Sequence, residues 1–151
     1  MNKITEWTGD MNAVLRAVSS ECAYRLRDTD LRGGQMFYLL SVCRMPNLSQ
    51  DRLAGQLGVD ESNVTRQLTD LEQKGYVRRH RDEQDGRRWL VEPTDRAYEM
   101  LPLFSDVLSD VRELLTRDLS HEEQELFGEL IQKMARNAAR RSAQREGEKK
   151  R

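Results

Sequence analysis

The spacing of apolar residues predicts a chain built mainly of amphipathic helices. Near the N terminus, apolar side chains recur at three- and four-residue steps from Trp7 to Cys22, which places them on one face of a long helix. Residues 28–34 end this helix, because a Gly-Gly pair there favours a turn. The more continuously apolar residues 35–44 predict a short buried helix, which Pro46 terminates.

The C-terminal part of the chain carries a heptad seam. Thr94 is the predicted N-cap of a long helix, and Pro102 inside it predicts a kink or a restart. Ser120 and Glu123 form a capping box before a final amphipathic helix. We expect two copies of the chain to bury these faces across a two-fold axis, with an intramolecular three-helix packing as the alternative. The seam consists of Ala97, Leu101, Phe104, Leu108, Val111 and Leu115.

Between these helical ends, the pattern predicts two short helices separated by a four-residue turn. Residues 49–58 form the first of them. Asp60 is the predicted N-cap of the second, and Gly75 supplies the left-handed backbone that ends it. The outward face of the second helix bears hydrogen-bonding groups and no carboxylate, which suits a surface that meets phosphates and base-edge acceptors. This face carries Ser62, Asn63, Arg66, Thr69 and Gln73.

Side-chain length and position predict individual roles on this face. Arg66 is long enough to reach a guanine edge with two hydrogen bonds, while Asn63 and Gln67 can address adenine. Ser62 and Thr65 lie near the helix start, where the helix dipole favours contact with phosphate oxygens. The alternative is that the face is only hydrated surface.

A hairpin follows the second helix. Residues 77–81 and 88–92 predict two strands, and the Asp-Gly pair between them is a strong turn former. Trp89 and Val91 are predicted to pack inward. A helix, a short turn, a second helix and a basic hairpin follow one another as in a winged helix-turn-helix that reads DNA.

The hairpin is dense in arginine. Arg87 lies at its tip and is placed to enter a narrow minor groove, where the negative potential is strongest. Asp85 is expected to hold the Arg87 guanidinium by a charge-assisted hydrogen bond. The alternative is a solvated hairpin that neighbouring carboxylates neutralise. The positive residues are Arg78, Arg79, Arg81, Arg87 and Arg88.

A set of short motifs through this central region resembles the multiple antibiotic resistance regulator (MarR) family of bacterial transcription factors. The flanking helices fit the layout of that family, apart from Pro93 and Ala97, where its members commonly have leucine and glycine. The resemblance implies a dimer that binds a pseudo-palindromic operator, with repression relieved by a ligand or an oxidant. The motifs are Leu48-Ser49-Gln50 with Leu53-Ala54, Gly58-Val59-Asp60, Val64-Thr65-Arg66, residues 71–77, and Asp85 with Arg87.

Charge and composition narrow the functional class. The formal net charge of −1 gives no global attraction to nucleic acid, so a DNA-binding surface must be local. Two widely spaced cysteines without a signal peptide fit reduced thiols, and no apolar run approaches the ~20 residues that span a bilayer. Because no phosphate-binding loop, metal-ligand spacing or nucleophile motif is present in the sequence, we expect no enzyme activity, catalytic residue, metal or cofactor.

Regulation is the least defined part of the sequence. The resemblance implies a small anionic or phenolic effector that binds between the dimerisation helices and the DNA-binding lobe. The alternative for the apolar and aromatic residues that would line this site is a plain core position, which is the more common role of such side chains at helical spacing. A redox role for Cys22 is the alternative, with Glu21 disfavouring the thiolate and Arg25 favouring it, whereas Cys43 fits a buried small apolar residue. The candidate pocket residues are Trp7, Met11, Tyr24, Met36, Phe37 and Tyr38.

We therefore predict a mainly α-helical protein with a small β-hairpin wing. The expected parts are an N-terminal dimerisation helix (1–32), a winged helix-turn-helix lobe (33–93), C-terminal dimerisation helices (94–140) and a basic disordered tail (141–151). The expected function is a cytoplasmic, homodimeric repressor that binds double-stranded DNA. The alternatives are a Cys22 redox sensor, a nonspecific DNA-binding protein and a winged helix used for protein contact. The predicted DNA contacts are Ser62, Asn63, Thr65, Arg66, Gln67, Thr69, Arg78, Arg87 and Arg88, with Asp85 supporting the wing.

Overall fold

The computed structural model describes residues 3–149, which form seven helices and a three-stranded antiparallel sheet. The predicted fold class, mainly helical with a small wing, is confirmed. Within the described range, no helix combines the length and apolarity needed to cross a membrane. The elements in chain order are α1 (Lys3–Arg25), α2 (Gln35–Arg44), β1 (Leu48–Ser49), α3 (Gln50–Leu57), α4 (Glu61–Gln73), β2 (Val77–Arg81), β3 (Trp89–Pro93), α5 (Asp95–Glu99), α6 (Leu101–Thr116) and α7 (His121–Lys149).

The sheet has the strand order β1-β3-β2, so the wing strand β3 lies between its two partners. Leu48 of β1 is paired with Val91, and Val77 of β2 is paired with Pro93. The sequence analysis missed β1, because a strand of two residues is too short to show an alternating pattern. Strand β3 begins at Trp89, one residue later than predicted.

The apolar face of α4 is anchored in the core of the lobe. Val64, Leu68 and Leu71 are fully buried, as their four- and three-residue spacing predicts. They join buried residues of α2, α3, the sheet and α6 in one cluster that includes Leu39 and Phe104. Burial of each such leucine stabilises the fold by about 2 kcal/mol, so the opposite face of α4 is held rigidly towards solvent.

The helix ends of the DNA-reading lobe follow the predicted chemistry, with one exception. The carboxylate of Asp60 accepts the backbone N–H of Asn63 at 2.7 Å, and Gly75 has a φ of +78°. Thr94 occupies the predicted N-cap position, at the start of α5, but its side chain makes no capping hydrogen bond. Its hydroxyl instead faces the carbonyl oxygen of Gly75 at 2.6 Å, because it closes the connection between α4 and the sheet.

The C-terminal helices also follow their sequence signals in part. Pro102 lies in the first turn of α6, where its missing N–H costs nothing, so it marks a restart rather than a kink. The capping box is confirmed, since Ser120 and Glu123 each accept the backbone N–H of the other, at 3.2 and 2.7 Å. Helix α7 extends to Lys149, past residue 140, where the sequence analysis placed the start of a disordered basic tail; residues 150 and 151 lie outside the described range.

Three helices leave large apolar side chains uncovered in the single chain. Of the heptad seam, Ala97 and Phe104 are buried, but Leu108 is 39% exposed. Monomeric proteins rarely expose contiguous apolar surface on this scale. The exposed apolar residues of α1, α6 and α7 are Trp7, Val14, Leu15, Leu108, Leu114, Leu126, Phe127, Leu130 and Ile131.

Candidate nucleic-acid interface

Helix α2 fixes the position of α4 through buried polar contacts. The side chain of Gln35 is 1% exposed and donates from its Nε2 to Gln67 Oε1 at 3.1 Å and to Asp70 Oδ2 at 2.5 Å. The Tyr38 hydroxyl donates to Asn63 Oδ1 at 2.7 Å. Asn63 and Gln67 are therefore half-buried on the flank of α4 that faces α2, which sequence periodicity alone does not reveal.

The outward face of α4 carries the predicted polar residues. Ser62, Thr65 and Arg66 are exposed, and Thr69 is half-buried. The Ser62 hydroxyl donates to Asp60 at 2.5 Å, and this bond is the main reason that the pKa of Asp60 lies below its ordinary value. Asp60 therefore stays ionised beside the helix start. The exposed Arg66 is the long cation at the centre of this face.

Asp85 shapes the wing tip differently from the prediction. Its carboxylate accepts the backbone N–H of Arg87 at 3.1 Å, and its carbonyl accepts the N–H of Arg88 at 2.8 Å. The predicted bond to the Arg87 guanidinium is not made, because the short Asp side chain forms a local turn with the backbone two residues on. Asp85 still supports the wing, through the chain path, and Arg87 is exposed at the tip.

The expectation that Trp89 packs inward is wrong, whereas Val91 is buried as predicted. Trp89 is 40% exposed, and the Arg81 guanidinium lies 4.2 Å from its ring centroid. Trp89 and Arg81 are paired across β3 and β2, so the side-chain alternation of the strands puts both on one face. The sequence analysis missed this pair because the spacing of residues along the chain does not give the register between the two strands.

The arginines of the hairpin divide into two groups. Arg79 is half-buried and bound to Glu72 Oε2 by two N–H groups at 2.8 and 3.0 Å, so it does not belong to the free positive surface. Arg78, Arg87 and Arg88 are exposed, with Arg88 at 3.8 Å from the Asp51 carboxylate. The available positive charge is therefore smaller than the sequence predicts and lies towards the wing tip.

A surface groove of about 420 Å³ lies between the start of α3, α4 and the wing. Thr65 and Thr69 line it from α4, and Trp89 lines it from β3. The groove shows that α4 and the wing border the same region of the surface. A duplex whose major groove receives α4 would thus also meet the wing.

The two cysteines are poor candidates for thiolate chemistry. Cys22 is 1% exposed, and burial, followed by the negative charge of Glu21, raises the pKa of its thiol. Burial also raises the pKa of Cys43, which is half-buried rather than fully buried as predicted. Reactive cysteines are accessible thiols with a lowered pKa, so the geometry counts against the redox alternative.

The candidate effector residues are not gathered in one cavity within the described part of the chain. Trp7 and Tyr24 are both exposed and lie about 25 Å apart along α1, given a rise of ~1.5 Å per residue. Met11 is half-buried and Phe37 is 39% exposed. Tyr38 is engaged with Asn63, and Met36 is a fully buried core residue.

The rigid helix pair α3–α4, the exposed Arg66 face and the arginine-bearing hairpin define a winged helix-turn-helix DNA-binding protein. The MarR family model matches residues 33–89. MarR itself, in its crystal structure, is 31% identical over 91% of this chain and 93% of that one, with a TM-score of 0.80. This chain belongs to the MarR family, and it is therefore a DNA-binding transcriptional regulator and not an enzyme.

Two further relatives are similar over most of their length. An uncharacterised HTH-type transcriptional regulator of Bacillus subtilis (strain 168), YybA, is 26% identical over 131 residues, which is 87% of each protein. The S. aureus MepR–DNA complex shares the fold at 22% identity and a TM-score of 0.78, covering 87% of this chain and 97% of MepR.

Proposed function

We propose that this regulator is a repressor that binds a pseudo-palindromic operator as a homodimer. The observation that carries the proposal is the exposed polar face of α4, with Arg66 at its centre, beside a wing that presents Arg87 at its tip. MepR, which shares the fold, has been crystallised with DNA. The proposed DNA contacts are Ser62, Asn63, Thr65, Arg66, Gln67, Thr69, Arg78, Arg87 and Arg88.

The homodimer is supported by the apolar faces that the single chain leaves open. Leu126, Leu130 and Ile131 of α7 are 54%, 45% and 41% exposed, and Leu15 of α1 is 59% exposed. Two copies related by a two-fold axis would bury these residues and would place two α4 helices in successive major grooves. The half-site centres would then lie about one helical turn, ~10 bp, apart.

The proposed effector is a small phenolic or anionic molecule that binds beside the dimerisation helices and releases the operator. Exposed aromatic side chains on α1 and α2, Trp7, Tyr24 and Phe37, offer stacking surface for it. Trp7 and Tyr24 are too far apart along α1 to line a single pocket in one chain, so a site that includes both would need the second protomer. A thiol switch at Cys22 is disfavoured by its burial and its raised pKa.

Fluorescence anisotropy with labelled DNA tests the proposal. DNA from upstream of the protein's own gene is compared with scrambled DNA of equal length at matched salt. We expect tight binding to the upstream fragment alone. Equal binding to both fragments, with a steep salt dependence, would favour nonspecific binding through phosphate contacts. Selection from random-sequence DNA then identifies an operator that lies elsewhere, and failure to enrich any sequence would contradict the proposal.

A further inference from the structure

The two amide side chains on the α2-facing flank of α4 have their oxygen atoms occupied by donors from α2. Tyr38 donates to Asn63 Oδ1 at 2.7 Å, and Gln35 donates to Gln67 Oε1 at 3.1 Å. An amide whose oxygen is turned towards the protein keeps its NH₂ group for other partners. Residues of α2 therefore determine whether Asn63 and Gln67 present a hydrogen-bond donor or an acceptor to other partners.

The amide orientation of Gln35 follows from its neighbours. Its Oε1 accepts the backbone N–H of Arg32 at 3.0 Å and lies 3.3 Å from the Lys74 ammonium, both of which only donate. Its Nε2 lies 2.5 Å from the Asp70 carboxylate, which only accepts when it is ionised. Lys74 and Gln35 hold the pKa of Asp70 below its ordinary value, so the carboxylate is ionised. Gln67 must therefore turn its oxygen towards Gln35.

The orientation of Asn63 follows from its distance to Tyr38. A separation of 2.7 Å is typical of an O–H···O hydrogen bond and is short for N–H···O. Tyr38 is 7% exposed, so its hydroxyl proton needs a protein acceptor, and Asn63 Oδ1 supplies one. Asn63 lies nearer than Gln67 to the outward face of α4, because at 3.6 residues per turn it is rotated about 80° from the direction of the exposed Ser62 and Arg66, whereas Gln67 is rotated about 120°.

We propose that Tyr38 is a specificity-determining positioning residue, which makes Asn63 enter the major groove as a hydrogen-bond donor that reads a purine through N7. The inference rests on the proposed operator binding. It revises the prediction that Asn63 reads adenine, because that bidentate contact also needs the amide oxygen to accept from the N6 amino group. N7 is an acceptor in both adenine and guanine, so the position accepts either purine and rejects cytosine, whose major-groove edge offers only the N4 donor.

Base analogues in the selected operator test the reading directly. The position read by Asn63 is the one at which Asn63→Ala loses base discrimination. At that position we expect 7-deazapurine, which lacks N7, to weaken binding of the wild-type protein roughly 2- to 10-fold, the worth of one neutral hydrogen bond. Replacing adenine by unsubstituted purine, which lacks the N6 amino group, should leave the dissociation constant unchanged. Dependence on the N6 amino group, or tolerance of cytosine, would overturn the proposal.

Tyr38→Phe tests the role of the hydroxyl. The phenylalanine keeps the ring and frees the Asn63 amide, so we expect adenine to gain over guanine and binding to become sensitive to loss of the N6 amino group. Tyr98→Phe is the matched control, since Tyr98 is 43% exposed on α5, and it should leave the base profile unchanged. A Tyr38→Phe profile identical to that of the wild type would overturn the proposal, with thermal melting used to verify that both variants fold.

A measurement on the wild-type protein keeps the test independent of any variant's stability. In side-chain amide NMR of the free protein, we expect the Asn63 NH₂ protons to exchange rapidly with water and the Gln35 NH₂ protons to be protected. Protected Asn63 NH₂ protons would mean that the amide nitrogen, and not the oxygen, faces Tyr38. That result would overturn the proposal. If wild-type protein enriches no sequence, the proposed function fails; if it does and Asn63→Ala weakens all sequences equally, only this inference fails.

Discussion

The Arg81 guanidinium lies 4.2 Å from the centroid of the Trp89 ring, and the same group donates to the carbonyl oxygens of Gly86 and Arg87 at 3.1 and 3.3 Å. One side chain therefore ties the strands of the wing to its tip. Arg81 acts through the backbone of the tip, which is where Arg87 meets solvent. Arg81 therefore fixes the backbone of the wing tip, whereas Arg87 presents its positive charge to solvent there.

We expect Arg81→Ala to weaken operator binding by about two- to tenfold, because an unlocked tip must be ordered when DNA binds. Global stability should fall by no more than ~1 kcal/mol, since an exposed cation–π contact is worth about that much. Anisotropy gives the affinity, and backbone ¹⁵N relaxation at Gly86 gives the mobility. Arg81→Lys keeps the charge; if it binds like the wild type, charge and not tip geometry explains the loss.

Arg66→Ala should cost ~1–3 kcal/mol in operator binding and relax the preference at particular base pairs, because a bidentate guanine contact is lost. Titrations against operators with single base-pair substitutions measure both effects. Gln73→Ala, at an exposed position later on the same helix, is the control and should change little. A uniform loss across all operators would assign Arg66 to a phosphate rather than to a base.

Arg87→Ala should weaken binding chiefly to operators whose flanks have a narrow minor groove, since the negative potential there attracts the cation most strongly. The comparison uses one operator core with A-tract flanks or with G·C-rich flanks. Removal of a single cationic contact should also lower the slope of log affinity against log salt by about one. Equal losses on both flanks would show that the wing tip does not enter the minor groove.

Leu130→Glu should convert the proposed homodimer to a monomer, because a carboxylate replaces one of the apolar side chains proposed to lie at the two-fold interface. Light scattering coupled to size exclusion gives the mass, and circular dichroism shows whether the lobe remains helical. Gln132→Glu adds the same charge at an exposed polar position two residues later and should leave the mass unchanged. A wild-type chain that elutes as a monomer would refute the interface outright.

Tyr76→Phe should destabilise the fold by about 1 kcal/mol at neutral pH, because the Tyr76 hydroxyl donates to Asp30 Oδ1 at 2.5 Å. This bond, helped by Arg96, holds the pKa of Asp30 below its ordinary value. A lowered folded-state pKa contributes stability above the unfolded value of ~3.9, and that stability is lost as the pH falls through the folded value. The two proteins should thus converge in urea unfolding once the pH has fallen below the lowered pKa of Asp30 in the folded protein.

Burial, and secondarily the bond to Asp30, raises the pKa of Tyr76 to about 12. Ultraviolet titration therefore offers a second readout of the same contact. The wild type should show one tyrosine that ionises last, and Tyr76→Phe should lack that phase. A difference in stability that persists unchanged into strong acid would show that the hydroxyl stabilises the fold independently of the Asp30 charge.

The amino-acid sequence by itself determined the two helices of the DNA-reading motif, the ends of α4 and the class of the protein. The spacing of Val64, Leu68 and Leu71 identified the buried face of α4, and Asp60 and Gly75 marked its limits, because these signals act within one or two turns. The order of helix, turn, helix and basic hairpin was enough to predict the winged helix-turn-helix.

Contacts between distant segments were decided only by the tertiary structure. The sequence grouped five arginines as free charge, but Glu72 binds Arg79 and the Trp89 ring engages Arg81 once the strand register is set. It likewise offered Asn63 as a residue that can address adenine, because nothing local shows that Tyr38, 25 positions earlier, reaches its oxygen. Local sequence encodes backbone periodicity and caps, whereas the hydrogen-bonding polarity of a side chain depends on which distant groups the fold packs beside it.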